Sequence, residues 1–248
     1  RAKETRQHAF ETSDMKTFPQ LSLLTLAMVL AFQPALAAND TVTIVAPTPL
    51  PGLDLNASQI AAPVQRGLVN DAHSQDLAEW MNAHIGGVLV QELQGNPFQA
   101  DVQYRGFTAS PLLGTPQGLS VYLDGVRMNQ PFGDVLSWDL IPRAALKSVT
   151  LMPGSNPLFG LNTLGGALAL ETKDGRSSPG NQLQLQMGSH GRRNLLLEHG
   201  FVNDKGLDGY VMLNQFHDEG WRMASPSDVR QVFGKLGWRN GSTRSNVS

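Results

Sequence analysis

The sequence predicts an α+β fold: a small domain rich in short strands and turns, followed by antiparallel strands with one apolar face. Three observations lead to this prediction. Short β-prone runs alternate with glycine-containing turns between Asp101 and Thr172, and one segment before them has helical periodicity. Beyond Asn181, polar and apolar residues alternate strictly, which is typical of strands whose two faces meet different surroundings.

The stretch Asp101–Thr172 is the centre of the chain. Its turns carry glycine, which adopts positive φ or approaches another backbone closely at no steric cost. Between the turns lie runs of the length and composition of short strands. The predicted strands are Val102–Arg105, Leu119–Leu123, Ser148–Met152 and Ala167–Glu171.

Composition excludes several classes of protein. Charged residues are 16% of the chain, against about 25% in ordinary soluble domains. The net charge of −2, without any basic run, argues against a nucleic-acid partner. The chain has no cysteine, which excludes disulfides, cysteine-based zinc sites, thiol nucleophiles and a lipidated N-terminal cysteine.

The segment before the mature protein has the three parts of an export signal. Leu21–Phe32 is almost wholly apolar, but it is too short for a transmembrane helix of about 20 residues. Lys16 precedes it, and the small residues of Ala35–Ala37 follow. We predict a cleavable signal peptide over residues 15–37 rather than a buried core helix, and a non-native or over-called leader over residues 1–14.

The predicted mature N-terminus combines a β-prone run with a stiff spacer. Thr41–Val45 has strand composition, and Pro47, Pro49 and Pro51 favour an extended conformation after it. Such a segment suits β-augmentation, in which the sheet edge of a partner recruits an extended peptide. An ordinary frayed terminus is the alternative interpretation.

A helix and a strand are predicted before the central stretch. Ser74 can cap the helix, Gly86-Gly87 ends it, and Val88–Glu92 follows as a strand. The apolar stripe with helical spacing consists of Leu77, Trp80, Met81 and His84.

The segments after Asn181 have strand length and alternating polarity. The predicted strands are Gln182–Met187, Gly209–Trp221 and Val229–Arg239, with Val232, Leu236 and Trp238 on one side of the last and Gln231, Lys235 and Arg239 on the other. Both a transmembrane barrel and a soluble β-sandwich give this alternation, so periodicity alone does not separate them.

Five short motifs occur in a fixed order behind the predicted signal. They are Asp76-Leu77 with Gly86-Gly87-Val88, Val102–Phe107 (VQYRGF), Val121–Val126 (VYLDGV), Ile141-Pro142 with Ser148–Gly154, and Phe159-Gly160 with Leu164-Gly165-Gly166. On these motifs the segment from about Asp71 to Thr172 resembles the plug domain of TonB-dependent outer-membrane receptors. The glycines of the motifs are Gly106, Gly125, Gly154, Gly160, Gly165 and Gly166.

The resemblance implies a fold and a domain organisation. The plug would be an α+β domain, a small mixed sheet with short helices, over residues 57–175. Antiparallel strands of a transmembrane β-barrel would follow over residues 176–248. Barrels of this family have about 22 strands, and this chain has room for about three, so the barrel is expected to be incomplete in this chain.

The resemblance also gives the mature N-terminus a role. The TonB box of the family pairs with TonB, which works with the ExbB/ExbD energy complex. The receptor would lie in outer-membrane lipid, with the plug inside the barrel and the TonB box in the periplasm. The predicted TonB box is Asp40, Thr41, Val42, Thr43, Ile44 and Val45, and residues 38–56 join it to a proline-rich spacer.

Loops of the plug are implied as the ligand-facing surface. A cation with aromatic side chains suits an anionic, partly apolar metal chelate, although packing against the barrel is the alternative role for each residue. Thr150 and Pro153 stand where the family carries charges, which leaves Arg105 and Arg143 as cations for barrel carboxylates. The predicted ligand contacts are Arg105, Phe107, Met128, Asn129, Gln130, Phe132 and Trp138.

The resulting hypothesis is energised uptake of a scarce ligand, with an iron–siderophore complex first and cobalamin, haem or an oligosaccharide as alternatives. A signal-transducing receptor and a secreted β-rich binding or adhesion module are the competing functions. No enzyme motif, cofactor site or metal-ligand spacing emerges: the glycine-rich run Gly160–Gly166 lacks the Lys and Ser/Thr of a P-loop.

Overall fold

The computed structural model describes residues 63–69, 77–93, 96–240 and 243–248. The predicted leader, the signal peptide, and the TonB box with its spacer lie outside these residues. All the described residues fall within one packing unit. None of the helices among them is long and apolar enough to cross a membrane.

The described chain contains one α-helix, α1 (Leu77–His84), three short 3₁₀ helices (Trp138–Leu140, Arg143–Ala145 and Pro157–Phe159) and thirteen strands. In chain order the strands are β1 (Gln65–Leu68), β2 (Val88–Glu92), β3 (Ala100–Tyr104), β4 (Phe107–Ala109), β5 (Leu119–Leu123), β6 (Val126–Arg127), β7 (Leu146–Pro153), β8 (Gly166–Thr172), β9 (Gly180–Met187), β10 (Arg193–Val202), β11 (Leu207–Asp218), β12 (Ser227–Asn240) and β13 (Thr243–Val247).

Residues 63–172 form two sheets, and we call this part the mixed-sheet domain. Its larger sheet has the strand order β1-β7-β8-β5-β6, in which β5 and β8 run parallel and the other neighbours are antiparallel. Its smaller sheet has the order β2-β3-β4. The expected mixed sheet with short helices is therefore present, and β1, β4 and β6 are short strands that the sequence did not predict.

The core of the mixed-sheet domain draws on both sheets and α1. Trp80, Val102 and Leu168 are at most 1% exposed in its main cluster. Tyr122 and Met152 belong to a second cluster, on the opposite face of the larger sheet. Strands β5, β7 and β8 are mostly buried on both faces, so their sequences lack the strict alternation of a strand with one solvent-exposed face.

Strands β9 to β13 form the second part, an antiparallel sheet with the order β13-β12-β11-β10-β9, which we call the meander. It has five described strands, against about three predicted. The missed strand β10 contains Leu195–Leu197, three leucines in succession, which break the alternation that marked its neighbours. The other missed strand, β13, is short and mostly polar, so it carries no apolar pattern.

Candidate functional site

The meander exposes its apolar face. The register aligns Leu183, Leu197, Leu213 and Val232 across four strands, so they lie on the same side. We call this side the outward face. Many of its large apolar residues are between 40% and 86% exposed; they include Leu183, Leu185, Met187, Leu197, Val211, Leu213, Val232, Leu236 and Trp238.

The opposite, inward face of the meander is rich in polar residues and is covered by the mixed-sheet domain. Ala144 and Ala145 pack there against Leu196, Tyr210 and Met212. A soluble sheet would bury its apolar face and expose its polar one, so the arrangement here is reversed. The polar residues buried on the inward face include Asn194, Glu198, Asp208, Asn214, Asp218, Ser227 and Lys235.

A buried ion pair joins the end of the mixed-sheet domain to β10. Nζ of Lys173 lies 2.8 Å from Oε1 of Glu198, and each side chain is 4% exposed. The hydroxyl of Tyr210, on β11, donates to the same carboxylate. Because charges are costly to bury unless they are paired, this contact fixes the connection to the meander in one position.

A second ion pair lies beside the first. Nζ of Lys235, on β12, lies 2.9 Å from Oδ2 of Asp124 and donates to Oγ1 of Thr172 at 2.8 Å. Asp124 also accepts hydrogen bonds from the backbone and the side chain of Thr172. The Asp124-Gly125 turn is therefore anchored to both β8 and the meander.

Further contacts continue along the inward face, away from these two ion pairs. Nε2 of Gln231 donates to the carbonyl of Asp139 at 2.8 Å. The rings of Phe98 and Phe216 meet edge to face, with centroids 5.0 Å apart. These contacts are neutral, so the charged attachment is concentrated where the chain passes from β8 to β9.

The two cations that the sequence assigned to barrel carboxylates contact aromatic rings of the mixed-sheet domain. The guanidinium of Arg143 is 3.9 Å from the centroid of the Phe98 ring, and its Nη1 donates to the carbonyl of Pro97 at 2.5 Å. Arg105 is exposed, with its guanidinium 5.0 Å from the ring centroid of Tyr104. Lys173 and Asp124 make charged contacts to the meander that the sequence did not predict.

These ion pairs were not predicted from the sequence, although the pattern of polar residues in β10 and β12 indicates part of them. The alternation of β12 places Lys235 opposite the apolar side, and Glu198 interrupts an apolar run in β10. A glutamate on β10 and a lysine on β12, on the same side of the sheet, indicate a face that meets neither lipid nor an apolar core. Their partners cannot be read from this pattern, because Asp124 and Lys235 are 111 positions apart.

Three loops meet at the other end of the larger sheet. Strands β5 and β8 start side by side at Leu119 and Gly166, so the loops that precede them lie at the same end. Nη2 of Arg127 donates to Oδ1 of Asp134 at 3.1 Å and to the carbonyl of Leu161 at 2.8 Å. Nδ2 of Asn162 donates to Oδ2 of Asp134 at 2.9 Å. We call residues 110–118, 130–137 and 155–165 the loop cluster.

A buried tyrosine of β5, Tyr122, holds the loop cluster through a hydrogen bond. The hydroxyl of Tyr122 donates to the carbonyl of Phe159, which also accepts from Oγ1 of Thr163 at 3.0 Å. Burial raises the pKa of Tyr122 above its usual value, and the charge of Arg127 opposes this only in part. The phenol therefore stays protonated and keeps its role as donor over the physiological range of pH.

The residues predicted to contact ligand separate into three groups. Arg105, Gln130 and Phe132 are exposed, and Phe132 is 78% exposed. Phe107 and Met128 are half-buried against the main core cluster. Asn129 and Trp138 belong to the interior.

Asn129 and Trp138 depart from the expected loop surface because their polar atoms serve the fold. Oδ1 of Asn129 accepts from the backbone of Val121 at 2.7 Å, and its Nδ2 donates to the carbonyl of Leu119 at 3.0 Å. Trp138 is 1% exposed, and its ring N–H donates to the carbonyl of Ala109 at 3.0 Å. Both side chains hold loops in place rather than presenting a surface.

The motif glycines lie at turns. Gly106, Gly125, Gly154, Gly160 and Gly166 have φ between 84° and 146°. Gly165 is pressed against the Phe107 ring, where an added Cβ would come within 2.9 Å.

A charged group also fixes the first strand of the domain. Nη2 of Arg66 in β1 lies 2.7 Å from Glu171 in β8, and Lys147 lies 3.1 Å from the same carboxylate. Burial alone would raise the pKa of Glu171, but Lys147, a hydrogen bond from Ser148 and the charge of Arg66 outweigh it and hold the pKa below its usual value. The carboxylate is therefore ionised at neutral pH and bridges β1 to the centre of the sheet.

Within the described ranges, no group of three or more His, Asp or Glu side chains is placed to hold a metal ion.

Comparison with known proteins places the mixed-sheet domain in a family. Residues 55–167 match the family model of the TonB-dependent receptor plug domain. Among curated protein sequences, none matches the chain.

Solved structures share the fold over most of the chain. The copper transporter OprC superposes with a TM-score of 0.55 at 17% identity, over 74% of this chain and 29% of that one. BauA, the ferric preacinetobactin receptor from Acinetobacter baumannii, superposes with a TM-score of 0.54 at 16% sequence identity, over 73% of this chain and 26% of that one. The FrpB iron transporter from Neisseria meningitidis superposes with a TM-score of 0.53 at 14% sequence identity, over 72% of this chain and 30% of that one. The chain thus spans less than a third of each, and the likeness concerns the fold alone.

Proposed function

We propose that this chain, whose residues 55–167 match the family model of the TonB-dependent receptor plug domain, supplies the plug and the first wall strands of an outer-membrane receptor for energised uptake. In this proposal residues 15–37 direct export, 40–45 form the TonB box and 38–56 include its spacer. Residues 57–175 are the plug, and 176–248 begin the barrel. TonB, driven by ExbB/ExbD, pulls on the TonB box from the periplasm.

The observation that carries the proposal is the reversed polarity of the meander. Its outward face is apolar and exposed, whereas its inward face is polar and holds the plug by buried ion pairs. Strands that cross a membrane show lipid an apolar face and the lumen a polar one. A crossing needs about 9–11 residues; β10 has 10 residues, and β11 and β12, with 12 and 14, are long enough to cross and extend beyond the membrane. A secreted β-rich module would have the opposite arrangement.

The polar interface suits a plug that has to move. If a force on the N-terminus displaces part of the plug, the inward face of the meander is exposed to water rather than to an apolar void. Glu198 and Lys235 then exchange a protein partner for solvent, which costs far less than leaving them unpaired in a dry interior. The path that opens is lined by hydrophilic groups and can be wetted.

The loop cluster is the proposed ligand surface, because it lies at the end opposite the ion-paired attachment. Gln130 and Phe132 are the exposed members of the predicted contact set within the loop cluster, and Arg105 is exposed in the turn between β3 and β4. A guanidinium and an exposed aromatic ring can hold an anionic, partly apolar chelate. We therefore place a ferric siderophore first among the ligand classes.

A proline substitution in the TonB box tests the coupling. Thr43→Pro removes a backbone donor and blocks strand pairing, so uptake should stop while binding at the cell surface persists. Thr48→Pro, between Pro47 and Pro49, is the matched control and should leave both intact. The measurement is accumulation of radioactive iron, supplied as ferric siderophores of the catecholate, hydroxamate and hydroxycarboxylate classes, by cells that depend on this receptor.

The outcomes separate the parts of the proposal. Uptake by Thr43→Pro at the wild-type rate would contradict energy coupling through this segment. If the wild type accumulated none of the three classes, the siderophore assignment would fail while the location in the membrane stood. Recovery of the protein in the aqueous fraction without detergent would contradict the location itself.

A further inference from the structure

The loop cluster rests on a small group of buried apolar side chains that includes one near the start of the described chain. This group is the second core cluster, formed by Val64, Tyr122, Met152, Phe159 and Ala167. Three of these residues lie on the central strands β5, β7 and β8. The other two are Phe159, in the loop cluster, and Val64, directly before β1, and both are 3% exposed. The cluster therefore joins the N-terminal side of the mixed-sheet domain to the proposed ligand surface.

The strand register places Val64 at the same end of the larger sheet as the loop cluster. Gln65 pairs with Leu151, so Val64 comes beside Met152. Met152 pairs in turn with Ala167, the second residue of β8. Because β1 and β8 are both antiparallel to β7, they run in the same direction, away from the loop cluster. Strand β1 therefore begins beside the loop cluster and ends where the ion pairs attach the domain to the meander.

Phe159 sets the position of an exposed part of the loop cluster. Its carbonyl accepts hydrogen bonds from Tyr122 and from Oγ1 of Thr163, and that oxygen lies 2.6 Å from Oγ of Ser120 on β5. Leu161 follows two residues after Phe159, and its side chain is 86% exposed. A shift of Phe159 in its cluster is therefore a shift of the surface that faces ligand in the proposed function.

Strand β1 is held by weaker polar contacts than the opposite end of the sheet. The side chain of Gln65 accepts from the backbone N–H of Gly86 at 2.6 Å and donates to its carbonyl at 3.2 Å, and both contacts are exposed. The ion pair of Arg66 with Glu171 is also partly exposed, and such pairs contribute little to stability. Because the attachment to the meander is buried instead, β1 is the side of the sheet that a pull detaches first.

The direction of the strand decides which contact such a pull breaks first. The predicted TonB box precedes Val64 in the chain, and the proposed pull points away from the loop cluster. Since β1 begins at the loop cluster, a pull on the chain before it acts at Val64 and separates β1 from β7 one residue pair at a time. Val64 leaves its cluster before any pair of β1 is broken.

From these features we propose that Val64 is a positioning residue of the ligand surface: it holds Phe159 in place, and its extraction by a pull loosens the loop cluster and releases the ligand. The inference rests on the proposed function, which supplies the pull and the ligand. Coupling between two sites is reciprocal. A bound ligand therefore also holds Val64 in its cluster, and ligand and pull oppose each other.

The test compares the same deletion at the two ends of β1. Val69 follows β1 at its far end and is 7% exposed in the main core cluster, so Val69→Ala is the matched control for Val64→Ala. Hydrogen exchange is measured on the receptor purified from outer membranes in detergent. The amides to follow are Gly160, Leu164 and Gly165, which donate hydrogen bonds within the loop cluster. Val64→Ala should speed their exchange about fivefold or more, and Val69→Ala should leave it unchanged.

Ligand dissociation is measured on the same three proteins. The probes are radioactive ferric siderophores of the catecholate, hydroxamate and hydroxycarboxylate classes. Dissociation of the bound probe should be about fivefold faster from Val64→Ala than from the wild type, and unchanged in Val69→Ala. By reciprocity, the bound probe should slow hydrogen exchange of the amides of β1 in the wild type.

The outcomes separate this inference from the proposed function. Exchange in the loop cluster that is unchanged in Val64→Ala, or raised equally in both variants, would overturn the role of Val64 and leave energised uptake intact. Faster exchange with an unchanged rate of dissociation would overturn the release of ligand through Val64. If the wild type bound none of the probes, the proposed ligand class would fail, whereas the exchange measurement needs no ligand and would still support or overturn the link between Val64 and the loop cluster.

Discussion

Nζ of Lys173 and Oε1 of Glu198 lie 2.8 Å apart in a position where each side chain is only 4% exposed. The pair joins the last residues of the mixed-sheet domain to the second strand of the meander. Desolvation makes such a pair a weak source of net stability, but it makes the loss of one partner costly. The contact therefore works as an attachment point rather than as a large source of stability.

We predict that Lys173→Met lowers the free energy of unfolding by about 3 kcal/mol, because Glu198 is left charged and buried. In Lys173→Met/Glu198→Gln most of the loss should be recovered, since the amide is neutral and still accepts from Tyr210. Thermal unfolding of the detergent-solubilised protein, followed by near-UV circular dichroism, measures both. A double variant as unstable as the single one would show that lost packing, not the charge, is responsible.

The carboxylate of Glu171 predicts a pH dependence. Its pKa is lowered in the folded state, so its contribution to stability is fully present above the unfolded value of about 4.3 and is lost as the pH falls through the folded value. The side chain is 43% exposed, and screening limits the effect to roughly 1 kcal/mol. The stability difference between wild type and Glu171→Gln should be constant above about pH 5.5 and should vanish toward pH 3.

Salt provides the control for this prediction. At 1 M NaCl the difference at neutral pH should shrink, because the Debye length falls to about 3 Å and the contacts with Arg66 and Lys147 are partly exposed. Chemical unfolding at a series of pH values, at low and high salt, measures the effect. A difference that grows as the pH falls would contradict the assigned direction of the pKa shift.

The backbone conformation at Gly166 predicts a larger loss of stability than the one expected for Glu171. Its φ is 146°, and an added Cβ would lie 2.5 Å from the carbonyl oxygen of Met152 on β7. Gly166→Ala should therefore cost about 3 kcal/mol or more, since strain and overpacking add at the start of β8. Gly114→Ala is the comparison: Gly114 also has positive φ, 84°, but open space around it, so about 1–2 kcal/mol is expected. Equal losses would show that only the backbone angle matters.

Local sequence patterns were sufficient to predict the helix and the strands whose apolar residues recur at a regular spacing. Helix α1 has the predicted apolar stripe, β2 and β5 have the predicted bounds, and the alternation of Gln182–Met187 appears as one exposed apolar face. Strands β4 and β6 could not be predicted, because such short segments become strands only through neighbours that the sequence pattern does not reveal.

The site was predictable only in part for the same reason. The alternation of β12 placed Lys235 on the side away from the apolar residues, but its contact with Asp124 is a product of the tertiary fold. Trp138 is predicted as a ligand contact because it follows the VYLDGV motif, after which the family resemblance implies a ligand-facing loop. A short 3₁₀ helix, Trp138–Leu140, turns its ring into the core between Leu136 and Ile141, which are both fully buried. Aromatic residues in loops are therefore ambiguous until packing is known.

The different burial of two predicted contact residues gives a test of the ligand surface. Phe132 is 78% exposed, so Phe132→Ala should leave the melting temperature unchanged. If the loop cluster binds ligand, the same change should weaken binding of the transported ferric siderophore about tenfold, or about 1.4 kcal/mol. Trp138→Ala should instead destabilise the protein by about 3–5 kcal/mol. Unchanged affinity in Phe132→Ala would remove this residue from the ligand surface.

A positive charge is expected to have opposite effects on the two faces of the meander. Leu183 lies in the middle of β9 on the outward face and is 62% exposed, whereas Gln186 lies on the inward face of the same strand. In lipid, a lysine at Leu183 should cost about 2–4 kcal/mol, because its charge lies near the centre of the bilayer. Gln186→Lys should be tolerated, since the inward face already accommodates the charges of Glu198 and Lys235.

The measurement is the amount of receptor that is assembled in outer membranes and needs detergent for extraction, compared between Leu183→Lys, Gln186→Lys and wild type. In a water-soluble β-sandwich, Leu183→Lys would replace an exposed apolar side chain by a charged one and would raise solubility at no cost in folding. Loss of assembly in Leu183→Lys alone supports a lipid-facing sheet. Normal assembly of both variants would contradict it, because an exposed apolar face that accepts a charge at its centre is surrounded by water.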